Sequence, residues 1–339
     1  MRLLIATDAW FPQVNGVVRT LDRLQAEVTA LGHEVHMLSP DGYKSLPLPT
    51  YNEIRLALTT PGHIAKRIES YDPDYIHIAT EGPIGLMTRR WCVKNDRPFT
   101  TSYHTRFPEY VRARMPVPIT ASYRYLTWFH NAGRAVMVTT ESLTQELEGW
   151  GFRSIARWPR GVDHELFRPQ DETVLDFEGP IFLYVGRVAV EKNIEAFLAL
   201  DLPGTKVVVG DGPQRAQLEA QYTDARFLGA KFGEELAAIY ASADVFVFPS
   251  KTDTLGLVIL EALACGVPVA AYPVTGPKDL IGDAPVGVLG DDLQAAALNA
   301  LDLSRTACRE HALRFTWTAS AQSFLDNVVT FQESYGEAA

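Results

Sequence analysis

Asp253 and Glu261 stand eight positions apart in Asp253-Thr254-Leu255-Gly256-Leu257-Val258-Ile259-Leu260-Glu261, on either side of a glycine-led helix start. The N–H groups near Leu257 and Val258 open that helix without intrahelical partners, and such a terminus attracts an anion. Glu261, further into the helix, can accept hydrogen bonds from ribose or sugar hydroxyls. Asp253 can do the same from the loop, or can serve only the helix dipole. A second segment, Gly186-Arg187-Val188-Ala189-Val190-Glu191-Lys192-Asn193, sets Arg187 and Lys192 directly behind an apolar run. A pyrophosphate suits such a pair, because arginine binds phosphate bidentately and lysine as a point charge; alone, the segment reads equally as a solvated loop. Lys231 closes Phe227-Leu228-Gly229-Ala230-Lys231, a loop able to hold a nucleobase through backbone groups. Val209-Gly210-Asp211-Gly212-Pro213 resembles a dinucleotide fingerprint only superficially, since the third glycine is missing and proline suits a first helical turn.

The first half offers Asn15-Gly16-Val17, where Gly16 opens a helix, and Ser102-Tyr103-His104-Thr105-Arg106, which puts His104 at the end of a strand. A lone histidine is more often structural than functional. His33, His36, His77, His130, His164 and His311 show no ligand clustering and receive no role. Two runs, residues 106–115 and 123–129, interleave aromatics with Arg106, Arg112, Arg114 and Arg124. Basic-aromatic surfaces suit the headgroup region of anionic membranes; the same aromatics can equally pack beneath the surface.

The elements that must position these residues alternate strand and helix. Strands are predicted at 3–6, 34–38, 75–79, 99–103 and 135–139, and again at 181–185, 206–209, 245–248 and 267–270. Helices are predicted over 17–31, 142–148, 194–200, 214–221, 234–241, 256–264 and 293–301. Such alternation implies parallel sheets with helices on both faces, and ligands then bind beyond the carboxyl ends of the strands. The stretch 158–169, with two prolines and a glycine, reads as a linker. The expected fold class is α/β, two doubly wound Rossmann-like domains facing across a cleft: 1–160, 161–315, and a C-terminal helix in 316–339 packing back on the first.

A length of 339 residues favours two domains, and 47% apolar residues suit a folded chain. No run of 18 apolar residues provides a spanning helix, and the N-terminus reaches Asp8 too soon for a signal peptide. Cys92, Cys265 and Cys308 are odd in number and scattered, which argues against disulfides or a zinc site and for a cytoplasmic setting. The net charge of −10 is uneven. Residues 1–160 carry 19 Lys and Arg against 15 Asp and Glu, the remainder 12 against 26. That asymmetry fits a surface-seeking first domain, and equally two unrelated surfaces.

Taken together, these motifs resemble the retaining family-4 glycosyltransferases of the GT-B fold over nearly the whole chain. The carriers are the Asp253–Glu261 element with its Glu-Ala-Leu-Ala-Cys-Gly-Val-Pro-Val continuation, and Gly186-Arg187…Glu191-Lys192-Asn193. The opening residues 7–20 resemble bacterial glycolipid synthases and mannosyltransferases. The resemblance implies that Arg187 and Lys192 hold a donor diphosphate and Glu261 the donor ribose. It also implies that Asp253 contacts the transferred sugar, Gly16 lets the phosphate approach, and His104 lies against the reacting centre. The chain departs from the family where Asp253 stands for the usual glutamate and Arg160 for the usual asparagine of Asn-Gly-Val-Asp.

The implied reaction retains anomeric configuration and needs neither metal nor other cofactor, with a UDP-sugar or GDP-mannose as co-substrate. Cations and helix N–H groups stabilise the leaving diphosphate; one cation at ~4 Å contributes roughly 4 kcal/mol before screening. The diphosphate itself can take the acceptor's proton. The expected acceptor is a lipid or saccharide, with anionic-membrane contact at the inner face and no nucleic-acid partner. A nucleotide-sugar epimerase on the same fold and a non-catalytic nucleotide-sugar-binding protein remain the alternatives, whereas a dehydrogenase lacks its Gly-x-Gly-x-x-Gly.

Overall fold

A computed structural model describes residues 1–13, 15–48, 51–114 and 116–333. The strands in chain order are β1 (Arg2–Ala6), β2 (Glu34–Leu38), β3 (Ser45–Leu48), β4 (Tyr51–Ala57), β5 (Tyr75–Ile78), β6 (Thr100–Ser102), β7 (Val136–Val138) and β8 (Ile155–Arg157). Then follow β9 (Ile181–Val185), β10 (Thr205–Val209), β11 (Arg226–Gly229), β12 (Val245–Phe248), β13 (Val269–Ala271) and β14 (Gly287–Leu289). The chain divides into two compact units: unit 1 is Met1–Arg160 with Trp317–Ala339, and unit 2 is Gly161–Thr316.

Unit 1 is built on a six-stranded parallel sheet in the order β2-β1-β5-β6-β7-β8, with β3 and β4 forming a separate antiparallel hairpin. Both faces of the sheet are covered, which is why β1 reads as an uninterrupted apolar run. Along β1, Leu3 and Ile5 enter one core with Leu21, Leu24 and Val28 of the helix Gly16–Ala30, while Leu4 and Ala6 enter another with Ile64, Ile68 and Ile84. The two-residue side-chain period of a strand divides them. Asn15 caps the Gly16–Ala30 helix, its Oδ1 accepting from the N–H groups of Val17 and Val18 at 3.0 Å.

The helix Trp317–Glu333 completes the first of these cores with Ala321, Phe324, Leu325 and Val328. Its Gln332 side chain closes a two-way bond with the Ile76 backbone, accepting from N at 3.3 Å and donating to O at 3.1 Å. Trp158, in the stretch that reads as a linker, is fully buried against Phe324. Trp158 itself is core, its indole packed against His77 and Phe324, while the boundary between the units, Arg160 to Gly161, falls within that stretch.

Unit 2 repeats the plan with the parallel order β11-β10-β9-β12-β13-β14. Ile181, Leu183 and Val185 of β9 face one core and Phe182 and Tyr184 the other. From β9 the chain first steps outward to β10 and β11, then returns to β12 on the opposite side of β9 and continues to β13 and β14. The direction of winding reverses between β9 and β12, and a crevice at such a reversal is where doubly wound sheets bind ligands.

Candidate active site

The carboxyl ends of β9 and β12 carry the two strongest motifs, and the structure brings them together. Gly186 begins the loop after β9, which continues through Arg187 to a short helical turn, Val190–Lys192. Pro249 to Gly256 form the loop after β12. Three contacts join the loops: Asn193 Nδ2 donates to the Pro249 carbonyl (3.0 Å), Thr252 Oγ1 to the Glu191 carbonyl (3.1 Å), and Lys192 Nζ forms a close ion pair with Asp253 Oδ1. Lys192 and Asp253 keep 22% and 14% side-chain exposure, so their charges sit in a partly desolvated setting. Asp253 Oδ2 and Ser250 Oγ are buried without a hydrogen-bond partner among the described residues. Such atoms ordinarily find a partner in the protein or in ordered water.

The loop after β12 delivers the chain to the helix Leu257–Ala264, whose start has no side-chain cap. Leu257 and Val258 therefore present first-turn N–H groups beside the ion pair's loop. Glu261, 8% exposed, is fixed by Tyr240, whose hydroxyl donates to Oε2 at 2.9 Å. Arg187 is held through its backbone, its carbonyl accepting from the Tyr184 hydroxyl at 2.8 Å. Gly210 supports the same corner. At φ 142° it lies so close to Gly186 that a Cβ would fall on the Gly186 carbonyl oxygen, so only glycine lets the two loops pass. Lys231 lies apart, in the loop after the edge strand β11, paired with Glu235 at 2.5 Å across one helical turn.

In unit 1 the winding reverses between β1 and β5, and the loop after β1 carries Gly16. An added Cβ at Gly16 would meet nothing within 4 Å, so packing gives no reason for glycine there. The sequence reading overlooked Asp8, which anchors this loop. Its carboxylate accepts from Ile84 N (2.8 Å), Gly85 N (3.2 Å) and Thr80 Oγ1 (3.0 Å), capping the helix Pro83–Lys94. Burial pushes the Asp8 carboxyl up to about 6 despite those three donors. His104 follows β6. Burial first, then the charge of Arg160, holds it well below the usual histidine range.

The basic-aromatic stretch is not all surface. Arg106 is 9% exposed; it forms a bidentate pair with Glu146 (2.7 and 2.6 Å) and approaches Glu109 at 3.8 Å. A guanidinium so engaged is part of the interior, not of a membrane-facing surface. Tyr123 and Phe129 are likewise core. Arg112 and Arg124 are exposed, as are Phe107, Tyr125 and Trp128 at 40%, 41% and 51%. The side chain of Arg114 lies outside the described residues.

Residues 14–166 match the family model for Glycosyltransferase Family 4, and residues 179–305 match that for Glycosyl transferases group 1. A GDP-mannose-dependent alpha-mannosyltransferase of Corynebacterium glutamicum is 30% identical over 96% of this chain and 88% of its own length. The chain is a family-4 glycosyltransferase. Its fold is GT-B, similar to that of sucrose-phosphate synthase from Thermosynechococcus elongatus, with a TM-score of 0.76 over 100% of both chains at 20% identity. An alpha-monoglucosyldiacylglycerol synthase of Streptococcus pneumoniae is 28% identical over 98% of this glycosyltransferase and 85% of its own length. Among the glycosyltransferase's described residues, no helix is long and apolar enough to cross a membrane.

Proposed function

We propose that this glycosyltransferase moves a hexose from a nucleotide-diphosphate donor, GDP-mannose first among the candidates, to a hydroxyl of a lipid-type acceptor, with retention at the anomeric carbon and without a metal ion. The observation that carries the reading is the Lys192–Asp253 pair at the winding reversal of unit 2, beside the uncapped helix start at Leu257 and the fixed Glu261. Arg187, Lys192 and the first-turn N–H groups stabilise charge growing on the departing diphosphate. When the donor enters, Lys192 exchanges part of its hold on Asp253 for phosphate oxygen. Asp253, with an unsatisfied buried oxygen, accepts from a sugar hydroxyl. Glu261 accepts from ribose. The leaving phosphate takes the acceptor's proton, so no side-chain base is required.

The donor and acceptor choice draws on the relatives, one named for GDP-mannose and another for a glucosyldiacylglycerol. The exposed Arg112, Arg124, Tyr125 and Trp128 suit contact with an anionic bilayer, each basic residue contributing about 1 kcal/mol there. The deciding experiment offers GDP-mannose, UDP-glucose and UDP-galactose with diacylglycerol-based and soluble sugar acceptors, and reads product configuration by NMR. An α-linked glycolipid from an α-donor is the expected product. An inverted linkage refutes retention, transfer to soluble sugars alone refutes the lipid acceptor, and donor epimerised without acceptor refutes transfer altogether.

A further inference from the structure

Arg160 is the one position where the Arg-Gly-Val-Asp stretch leaves the family pattern, and its surroundings are unusual. It is 4% exposed, yet no carboxylate among the described residues pairs with it. Nη1 donates to the carbonyls of Trp158 (2.7 Å) and Pro159 (3.4 Å), and the guanidinium lies 3.7 Å over the Trp158 ring. Nη2 is directed at His104 Nδ1, 3.4 Å away. The His104 ring stands edge-on to the same indole, at 5.7 Å and 74°. A buried cation without a counter-ion is expensive, and stapling two carbonyls would not by itself require a nitrogen on the histidine.

We propose that Arg160 is a positioning residue that fixes His104 as a neutral ring with its proton on Nε2. A guanidinium has five N–H donors and no acceptor, so the nitrogen it faces must offer a lone pair. Nδ1 then carries no proton, and the remaining ring proton resides on Nε2. Arg160, His77 and His130 are among the titratable groups that face His104, and the charge of each disfavours the imidazolium. Burial lowers Arg160 to about 9, which leaves it cationic at neutral pH. His104 is thereby a hydrogen-bond donor through Nε2 and cannot act as a general base through that atom. This deepens the transfer reading and rests on it, since it leaves the acceptor's proton to the departing diphosphate.

The test is two-dimensional ¹H–¹⁵N NMR of histidine-labelled protein, with His104 assigned by loss of its signal in His104→Asn. The expected wild-type spectrum has a pyridine-type Nδ1 and a pyrrole-type Nε2, unchanged from pH 8 to pH 6. Arg160→Lys, which keeps a donor and a charge, preserves that pattern. Arg160→Met loses it, mixing tautomers and titrating at higher pH than wild type. A wild-type His104 protonated on Nδ1, or an Arg160→Met spectrum identical to wild type, overturns the assignment. None of these readouts needs turnover. A failed transfer assay therefore refutes the enzyme reading and leaves the tautomer standing, and a wrong tautomer does the reverse.

Discussion

His77 makes unit 1 sensitive to acid, by an amount that can be worked out. Its ring is fully buried between Trp158 and Phe324, with Nδ1 at 2.9 Å from Thr100 Oγ1 and Nε2 at 2.5 Å from Ser102 Oγ. Burial, then the charges of Arg160 and His130, lowers it from 6.5 to about 3. In the unfolded chain the same ring takes up a proton below 6.5. The unfolded state thus binds more protons, and stability is lost as the pH falls from 6.5 toward 3. At about 1.4 kcal/mol per pH unit, the full loss is about 5 kcal/mol and the part reached by pH 5 about 2 kcal/mol. Asp8, raised to about 6, acts with the opposite sign: its folded-state carboxyl protonates first, so stability is gained as the pH falls from 6 to 4. The raw profile therefore mixes the two, and the difference between wild type and His77→Gln isolates the histidine. All six tryptophans (Trp10, Trp91, Trp128, Trp150, Trp158 and Trp317) lie in unit 1, so guanidinium unfolding followed by their fluorescence reports that unit alone. The stability difference between the two proteins should shrink by about 2 kcal/mol from pH 7 to pH 5. Parallel profiles would show that His77 is not held neutral and would refute the reasoning.

Arg187→Ala and Lys192→Ala should each lower kcat by about 10²–10³, the usual effect of removing one charge-stabilising donor; near-wild-type turnover in both would remove the diphosphate assignment. Transfer should persist in excess EDTA, and a loss restored by Mg²⁺ or Mn²⁺ would return the charge stabilisation to a metal. The double variant Arg112→Gln, Arg124→Gln should weaken pelleting with anionic vesicles by roughly 30-fold, at about 1 kcal/mol per residue. Arg106→Met should leave pelleting unaltered, and equal loss in both would contradict the burial of Arg106. Gly210→Ala should cost more than about 1 kcal/mol of unit 2 stability and weaken donor affinity in calorimetry by displacing Gly186 and Arg187; an unchanged melting temperature and affinity would show that the loops do not need glycine.

The parts of the fold legible in the sequence were those whose signal is local. β9 (Ile-Phe-Leu-Tyr-Val) and β12 (Val-Phe-Val-Phe) announce themselves as short runs of aliphatic and aromatic residues, and the helix Leu257–Ala264 follows its glycine. β8 (Ile-Ala-Arg) ends on a charge and β14 (Gly-Val-Leu) opens on glycine, so neither shows the continuous apolar run of a buried strand. The β3–β4 hairpin carries Pro47, which disguises it. The helix Pro83–Lys94 takes its cap from Asp8, some 76 positions away, and no local pattern encodes that. The site divides in the same way. Arg187, Lys192, Asp253 and Glu261 are recognisable from their own segments, whereas the Lys192–Asp253 pairing spans 61 positions. Arg106 was misread because Glu146, which draws it inward, lies 40 positions on. Trp158 and Arg160 sit in a proline-rich stretch that looks solvated until Phe324 covers it.

The helix Trp317–Glu333 belongs to the sheet whose first strand begins at Arg2, so the earliest and latest parts of the chain share one core. On the ribosome this has a temporal meaning. At about 5–20 residues per second, roughly 8–30 s separate the synthesis of Arg160 from that of Trp317, and the whole of unit 2 is made in the interval. During that time the face of the N-terminal sheet formed by Leu3, Ile5 and Trp158 has no Phe324 or Val328 to meet it. The later unit can close first, and the earlier one waits with an apolar face uncovered. A nascent chain halted at Thr316 then leaves unit 1 incomplete after unit 2 is made, the reverse of the usual vectorial order.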